Sequence, residues 1–252
     1  MLSAIQAYLR KAASLDRIVE HVGPFLATIS PDTDNPYMNY AIPDDGVTPT
    51  ASDVEGLIAL YESHKRTPRL EYSTELAPTV EAALLAGGFS VEMFSPLMVY
   101  PPGHVCNMPI PAGIELLLPQ SDEEIQGMFA AQDEAYGGTP TQRDQSALEK
   151  HLTFLKDGGL SVLAWEISSG EPTGGGVCTM PFDHTTELAG IGVRPAFRRR
   201  GIAGAMTAWL AQKANAAGTR HVFLMAAGVD EARIYARAGF EQIGNMLHIS
   251  RK

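Results

Sequence analysis

The sequence predicts an α/β (α+β) protein in which a mixed sheet covered by helices fills the C-terminal half and a separate domain precedes it. Three observations carry this reading. At 252 residues the chain exceeds the size at which one core usually stops growing, about 250 residues, so two modest domains fit it better than one. Pro101, Pro102, Pro109 and Pro111 crowd the segment 100–113, and proline this dense disfavours both helix and central strand. Downstream of it, apolar periodicity alternates in the order β-α-α-β-β-β-α-β-α-β. The expected domains are therefore 1–104 and 105–252.

Taken in order, the N-terminus MLSAIQAYLRKAASLD places Leu2, Ile5 and Leu9 at helical spacing. It lacks the continuous apolar run of a signal peptide, so a surface helix is expected. Past the proline-dense segment, Ile114 to Leu118 reads as a strand. Ser121 and Glu124 have the spacing of a capping box, which opens a helix through Ile125, Met128 and Phe129. A second, polar helix is expected over 141–156, stopped by Gly158 and Gly159. Strands follow at 160–167 and 175–181, joined by the turn-rich SSGEPTG. The remaining expectations are a strand at 187–193, a loop at 194–200, a helix at 201–217 stopped by Gly218, a strand at 221–226, a short helix at 230–237 and a last strand at 243–249.

Composition narrows the function. With 45% hydrophobic and 19% charged residues the chain is ordinary globular protein. A net charge of −10 would repel polyanions, which argues against a nucleic-acid partner and favours a cationic small molecule. Cys106 and Cys178 are the two cysteines, with no CxxC spacing and no His/Cys cluster, so both read as core thiols and no metal is implied. No stretch approaches the ~20 apolar residues that span a bilayer. A cytoplasmic protein with no membrane partner is expected, and a homodimer is one open arrangement.

The chemistry concentrates at Arg198-Arg199-Arg200-Gly201-Ile202-Ala203-Gly204-Ala205, between a strand and a helix. Three cations entering a helix oppose its macrodipole, each at a cost of about 0.3–1 kcal/mol, and glycine there adds conformational entropy. A bound anion reverses the sign, because first-turn N–H groups point at it and arginines neutralise it. The small residues let the backbone approach closely, so the segment reads as a diphosphate cradle. It is neither a P-loop nor a dinucleotide fingerprint, since GxxxxGK[ST] and GxGxxG are absent.

Here the sequence resembles the GNAT superfamily of N-acetyltransferases, whose acetyl-CoA motif [QR]xxGx[GA] is matched by Arg198, Gly201 and Ala203. The surrounding ELAGIGVRPAFRRRGIAGAMTAWLAQKANAAG and the following HVFLMAAGVDEARIYARAGFEQIG resemble that family's strand-loop-helix and terminal elements, over roughly residues 112–252. The resemblance implies a central mixed, mostly antiparallel sheet flanked by helices. It also implies acetyl-CoA (coenzyme A) as acyl donor and direct transfer to a primary amine within a ternary complex. The amine would be a small molecule or a peptide. In that family the strand before the motif splays from its neighbour, and its backbone, here Ile191 to Val193 including Gly192, binds the pantetheine arm. Gly190 and Gly192 independently suit a strand that bulges.

An amine of pKa near 10.4 must lose a proton before it attacks. Glu187, eleven residues before Arg198, stands where several family members keep a glutamate base. An exposed strand-end glutamate without a role, another residue or ordered water are the open alternatives. Tyr235 occupies the family position of the tyrosine that protonates the departing thiolate; helix-face packing is the other reading. Gly228 stands where the family often has a pantetheine-binding asparagine, with Asp230 nearby. His184 beside Asp183 is a weaker base candidate, and Asp133 and Glu134 are weaker candidates for holding a cationic acceptor. A solvated surface is the alternative for each.

EAALLAGGF at 81–89 echoes ARIYARAGF at 232–240, with Leu84 where Tyr235 stands. Residues 1 to about 100 are therefore read either as a degenerate GNAT-like copy, as in tandem GNAT proteins, or as an unrelated cap. They lack the acetyl-CoA motif, and their expected task is to help shape the acceptor site. The acidic pairs Asp32 and Asp34, and Asp44 and Asp45, would attract a cation. The rival functions are an acyl-CoA-binding regulatory or pseudoenzyme module without turnover and a pure interaction module.

Overall fold

The computed structural model describes all 252 residues. By contacts it divides into one unit of Met1–Leu97 with Ile243–Lys252 and a second of Met98–Gln242. The first unit contains α1 (Leu2–Ala13), β1 (Ile18–Val22), β2 (Phe25–Ile29), β3 (Tyr40–Pro43), α2 (Ala51–Ser63), β4 (Arg69–Ser73), α3 (Val80–Ala86) and most of β5 (Ser90–Tyr100). The second contains β6 (Ile114–Leu117), α4 (Asp122–Ala135), α5 (Gln145–Lys156), β7 (Leu160–Glu166), β8 (Glu171–Cys178), β9 (Thr185–Val193), α6 (Ile202–Ala216), β10 (His221–Met225) and α7 (Val229–Arg237), then enters β11 (Glu241–Ser250). The chain passes between units inside two continuous strands, β5 and β11, so the expected 104/105 boundary lies just inside the second unit, in the irregular proline-dense segment.

In the first unit the strand order is β1-β2-β3-β4-β11-β5. Every mapped pair is antiparallel except β3 with β4. α1 forms on the predicted spacing and buries Ile5 and Leu9. Its Arg10 donates to the Pro43 carbonyl and pairs with Asp45, both at 2.6 Å, so Asp45, expected to attract a cationic ligand, is already neutralised. α2 opens on a Thr50–Asp53 capping box and buries Val54, Leu57 and Tyr61.

The repeated Gly-Phe sequence has a structural counterpart. After α3, Gly88 turns left-handed at φ +84° and Phe89 N–H donates to the Leu84 carbonyl; after α7, Gly239 does so at +95° and Phe240 N–H donates to the Tyr235 carbonyl. Both are Schellman stops that only glycine enters without strain. Leu84 and Tyr235 hold the same place in the two, but Leu84 is wholly buried in core.

The second unit follows the predicted order of elements, with sheet order β10-β9-β8-β7-β6. Antiparallel pairing runs from β6 to β9, and β9 pairs parallel with β10. α4 starts on the predicted Ser121–Glu124 capping box. α5 begins at Gln145 rather than Thr141, because Asp144 caps it by accepting from the Ala147 N–H at 2.8 Å. β8 begins at Glu171, not Gly175. Pro172 sits beside the register shift at Ala164/Trp165, where a missing N–H is tolerated. Ile202, Met206 and Leu210 of α6 pack with Val162, Leu188 and Val222 in the core.

Candidate active site

β9 departs from regular pairing where the site forms. It runs beside β10 only through Thr185, Thr186 and Glu187, opposite His221, Val222 and Phe223; beyond Glu187 the strands are no longer paired. On its other side Gly192 faces Gly175 and Ala189 faces Val177. Gly190 and Ile191 thus oppose the single residue Gly176, which is a β-bulge. Gly190 takes φ +63°, the left-handed conformation the bulge demands. Helix α4 lies against this stretch: Gln132 Nε2 donates to the Gly190 carbonyl at 2.8 Å and Tyr136 Oη to the Ile191 carbonyl at 3.2 Å. A Cβ on Gly192 would lie 2.7 Å from Ala135 Cβ, so this close approach requires glycine.

The loop from β9 to α6 contains a 3-10 turn at Pro195–Phe197, then Arg198 in extended conformation, Arg199 at φ +61° and Gly201 at +86° as N-cap of the 15-residue α6. Left-handed residues of this kind turn successive N–H groups toward a common concavity. No acidic residue occupies the first turn of α6, which leaves its positive end unopposed. The three arginines have separate fates. Arg198 spans two backbone carbonyls, Val193 at 3.2 Å and Ala135 at 2.8 Å. Arg200 pairs with Glu166 at 2.9 Å and lies over the Phe197 ring, 5.5 Å from its centroid. Arg199 is exposed at the cavity.

A cavity of about 810 Å³ is lined by Ile191, Gly192, Val193, Arg198, Arg199, Gly201, Ile202, Ala203, Gly204 and Tyr235 of the expected residues. Arg200 and Ala205 are not on its wall. Arg200 is diverted to Glu166, and Ala205 turns into the core at 3% exposure. Gly204 makes room for Met108, whose Sδ would lie 2.8 Å from an added Cβ. Burial, with Tyr136 and Glu231 nearby, pushes the Tyr235 phenol up to about 12, so it remains protonated at neutral pH. Glu187 does not line the cavity. It sits where β9 and β10 part, four residues and about 13 Å of strand before Ile191.

Other expected residues are engaged elsewhere. Asp133 pairs with Arg143 and Glu134 with Arg194, each at 2.8 Å, so neither charge is free to hold a cationic acceptor. His184 and Asp183 are the two left-handed residues of a tight turn closed by Phe182 and Thr185, and His184 Nδ1 lies 3.2 Å from the Gly218 carbonyl. Gly228 is the extended N-cap of α7, with no side chain to offer the pantetheine arm. Sequence reasoning missed Met108, Ala135, Tyr136, Phe197, Glu231, Ile234 and Arg237 on the wall. Phe197, Ile234 and Arg237 carried a local signal, each within two residues of Arg198 or Tyr235. The structure contains no group of three or more His, Cys, Asp or Glu arranged to hold a metal, and no helix long and apolar enough to cross a membrane.

Residues 125–242 match the model of the acetyltransferase (GNAT) family. Among solved structures, a GCN5-related N-acetyltransferase from Kribbella flavida is 24% identical with a TM-score of 0.82, covering 100% of this chain and 95% of its own. One from Sphaerobacter thermophilus is 18% identical with a TM-score of 0.69, over 91% of this chain and 80% of its own. A tandem GNAT protein from the clavulanic acid biosynthesis pathway is 12% identical with a TM-score of 0.58, over 90% and 77%. Identities this low carry the fold alone. The matches extend through the N-terminal part, which is GNAT-like in fold. No curated protein sequence matches the chain.

Proposed function

We propose, from the premise that the chain belongs to the GNAT acetyltransferase family through its domain at residues 125–242, that it transfers an acetyl group from acetyl-CoA to a cationic primary amine. The observation that carries this is one cavity wall joining the Arg199–Gly201 turn, the amino end of α6, the β9 bulge and the Tyr235 phenol. Its volume is within the range of small-molecule sites, about 300–1,000 Å³. The turn and helix end suit a diphosphate, with Arg199 and Arg237 as its counter-charges. Met108, Val193, Phe197 and Ile234 suit the hydrocarbon parts of the pantetheine arm. Bound there, acetyl-CoA supplies an acetyl group activated as a thioester.

The chain's own residues would supply three functions. Backbone N–H groups of the bulge stabilise negative charge developing on the acyl oxygen. Tyr235 holds a proton at Oη for the departing sulfur, and its raised pKa keeps that proton in place. Glu187 takes the amine proton through water, because it stands off the cavity wall. The net charge of −10 favours a cationic amine.

Glu187's place outside the wall supports a second reading, acyl-CoA binding without turnover. Thiol release measured with acetyl-CoA and a panel of polyamines, aminoglycosides, amino acids and peptides separates the two. Release driven by one amine class, and lowered about 10²-fold or more by Tyr235→Phe, supports transfer. Binding with no release from any amine supports the second reading, and absence of binding overturns both.

A further inference from the structure

Gln132 and Tyr136 stand four residues apart, so they share a face of the helix end, and that face meets β9 at its bulge. Their donors reach consecutive carbonyls, Gly190 at 2.8 Å and Ile191 at 3.2 Å. In a regular strand successive carbonyls point to opposite sides, so two neighbouring carbonyls satisfied from one helix require the bulge. In each planar trans peptide the N–H points opposite to the C=O. Holding the Gly190 carbonyl toward α4 therefore turns the Ile191 N–H away from it, on the stretch that lines the cavity, while the Gly192 N–H, opposite Gly175 in the ladder that Arg194 N–H and the Thr173 carbonyl continue, faces β8. Arg198 secures the end of the same stretch through the Val193 carbonyl while also binding the Ala135 carbonyl of α4. Gly190 and Gly192 accommodate the contact, since Cβ atoms there would lie 2.8 Å from Gln132 Nε2 and 2.7 Å from Ala135 Cβ.

We propose that Gln132 and Tyr136 are positioning residues that set the β9 bulge so that the Ile191 N–H, which lies outside the β8 ladder, points at the acyl oxygen. The inference rests on the acetyl-CoA reading above. Neither side chain donates to the acyl group; both act through the backbone carbonyls they hold. Loss of one donor relaxes one peptide, and loss of both lets the Ile191 N–H swing away from the acyl oxygen.

The test uses the full chain as wild type, Gln132→Leu, Tyr136→Phe and the double variant. Tyr136 is exposed and Gln132 half-buried, so both substitutions should preserve the fold, which thermal midpoints check. Amide spectra of the ligand-free proteins should show shifts confined to residues 189–193, growing from single to double variant. Difference infrared spectra of carbonyl-¹³C acetyl-CoA should show a lowered thioester carbonyl frequency on the wild type. The double variant should lose most of that lowering, while its Kd for CoA stays within about twofold, because the diphosphate cradle is untouched. With the amine that drives turnover, kcat should fall about tenfold without a matching rise in KM, as expected for an interaction realised at the acyl oxygen.

Unchanged amide positions, or an undiminished carbonyl lowering in the double variant, overturns the proposal. Equal loss of CoA and acetyl-CoA binding also overturns it, since that marks a general packing role. A wild type that binds no CoA defeats the acetyl-CoA reading, and the oxyanion role with it. The amide shifts then still report whether the two side chains set the bulge.

Discussion

Two glycines three residues apart in the Arg198–Gly204 segment are predicted to respond differently to alanine. Gly201 sits at φ +86°, and an added Cβ would meet nothing nearer than Pro111 Cγ at 3.8 Å. Its cost is therefore conformational, about 1–2 kcal/mol for an L-residue held left-handed. Gly204 has no such backbone requirement; its Cβ would lie 2.8 Å from Met108 Sδ, near the end of a flexible side chain. Met108 can move, and alanine inside a helix gains about 1 kcal/mol over glycine, so Gly204→Ala should be close to neutral. Trp165 and Trp209 are the two tryptophans and both lie in the second unit, so tryptophan fluorescence reports that unit's unfolding. At roughly 2–4 °C per kcal/mol for a domain of this size, Gly201→Ala should lower the midpoint by about 2–8 °C. A Gly201→Ala protein as stable as wild type, or one more stable than Gly204→Ala, would refute the left-handed cap.

The arginines should separate in titrations with CoA. Arg199→Gln and Arg237→Gln should each weaken binding about tenfold, the loss of one charge-assisted contact. Arg200→Gln should leave it within about twofold, because that guanidinium is committed to Glu166. Tyr235, raised to about 12 by burial first and then by Tyr136 and Glu231, should add no alkaline limb to the rate profile below about pH 11; a limb near pH 10 abolished by Tyr235→Phe would contradict the burial. Leu210→Ala, at a fully buried position, should cost about 2–5 kcal/mol in urea titrations. In the first unit, burial opposes charge on Glu71, but His248 and Arg69 overcome it and hold its carboxyl below the ordinary 4.5. The stability this brings is complete above that value and is lost as pH falls through the lowered one. Glu71→Gln should therefore flatten the acid side of a stability profile followed by circular dichroism.

The order of elements in the second unit was legible because helices and strands there keep their periods and caps, as at Ser121–Glu124. Where strand and turn chemistry overlap, the reading slipped. Glu171 through Gly174 reads as turn, yet belongs to β8, where Cβ atoms at Gly174 and at its neighbours Gly175 and Gly176 would strike the Gly192 carbonyl, Met128 and Ile191. These glycines mark close packing, which composition does not distinguish from flexibility. The cavity-lining residues among Arg198–Gly204 and Tyr235 could be singled out because each set lies within one short segment. Met108 and Tyr136 reach the cavity from two segments far from these in sequence, and only folding brings them together. The ion pairs of Arg200, Asp133 and Glu134 were hidden for the same reason, since each partner lies on another element or loop.

The central claim is that the amino end of α6 receives the diphosphate of acetyl-CoA, and Ala203→Glu tests it most directly. Ala203 is the second residue of α6 and lines the cavity. A carboxylate there favours the helix dipole while opposing a bound anion. Calorimetric titration with acetyl-CoA should show binding to the wild type and its loss in a variant whose thermal midpoint is unchanged. Equal affinity in the two proteins would contradict the account.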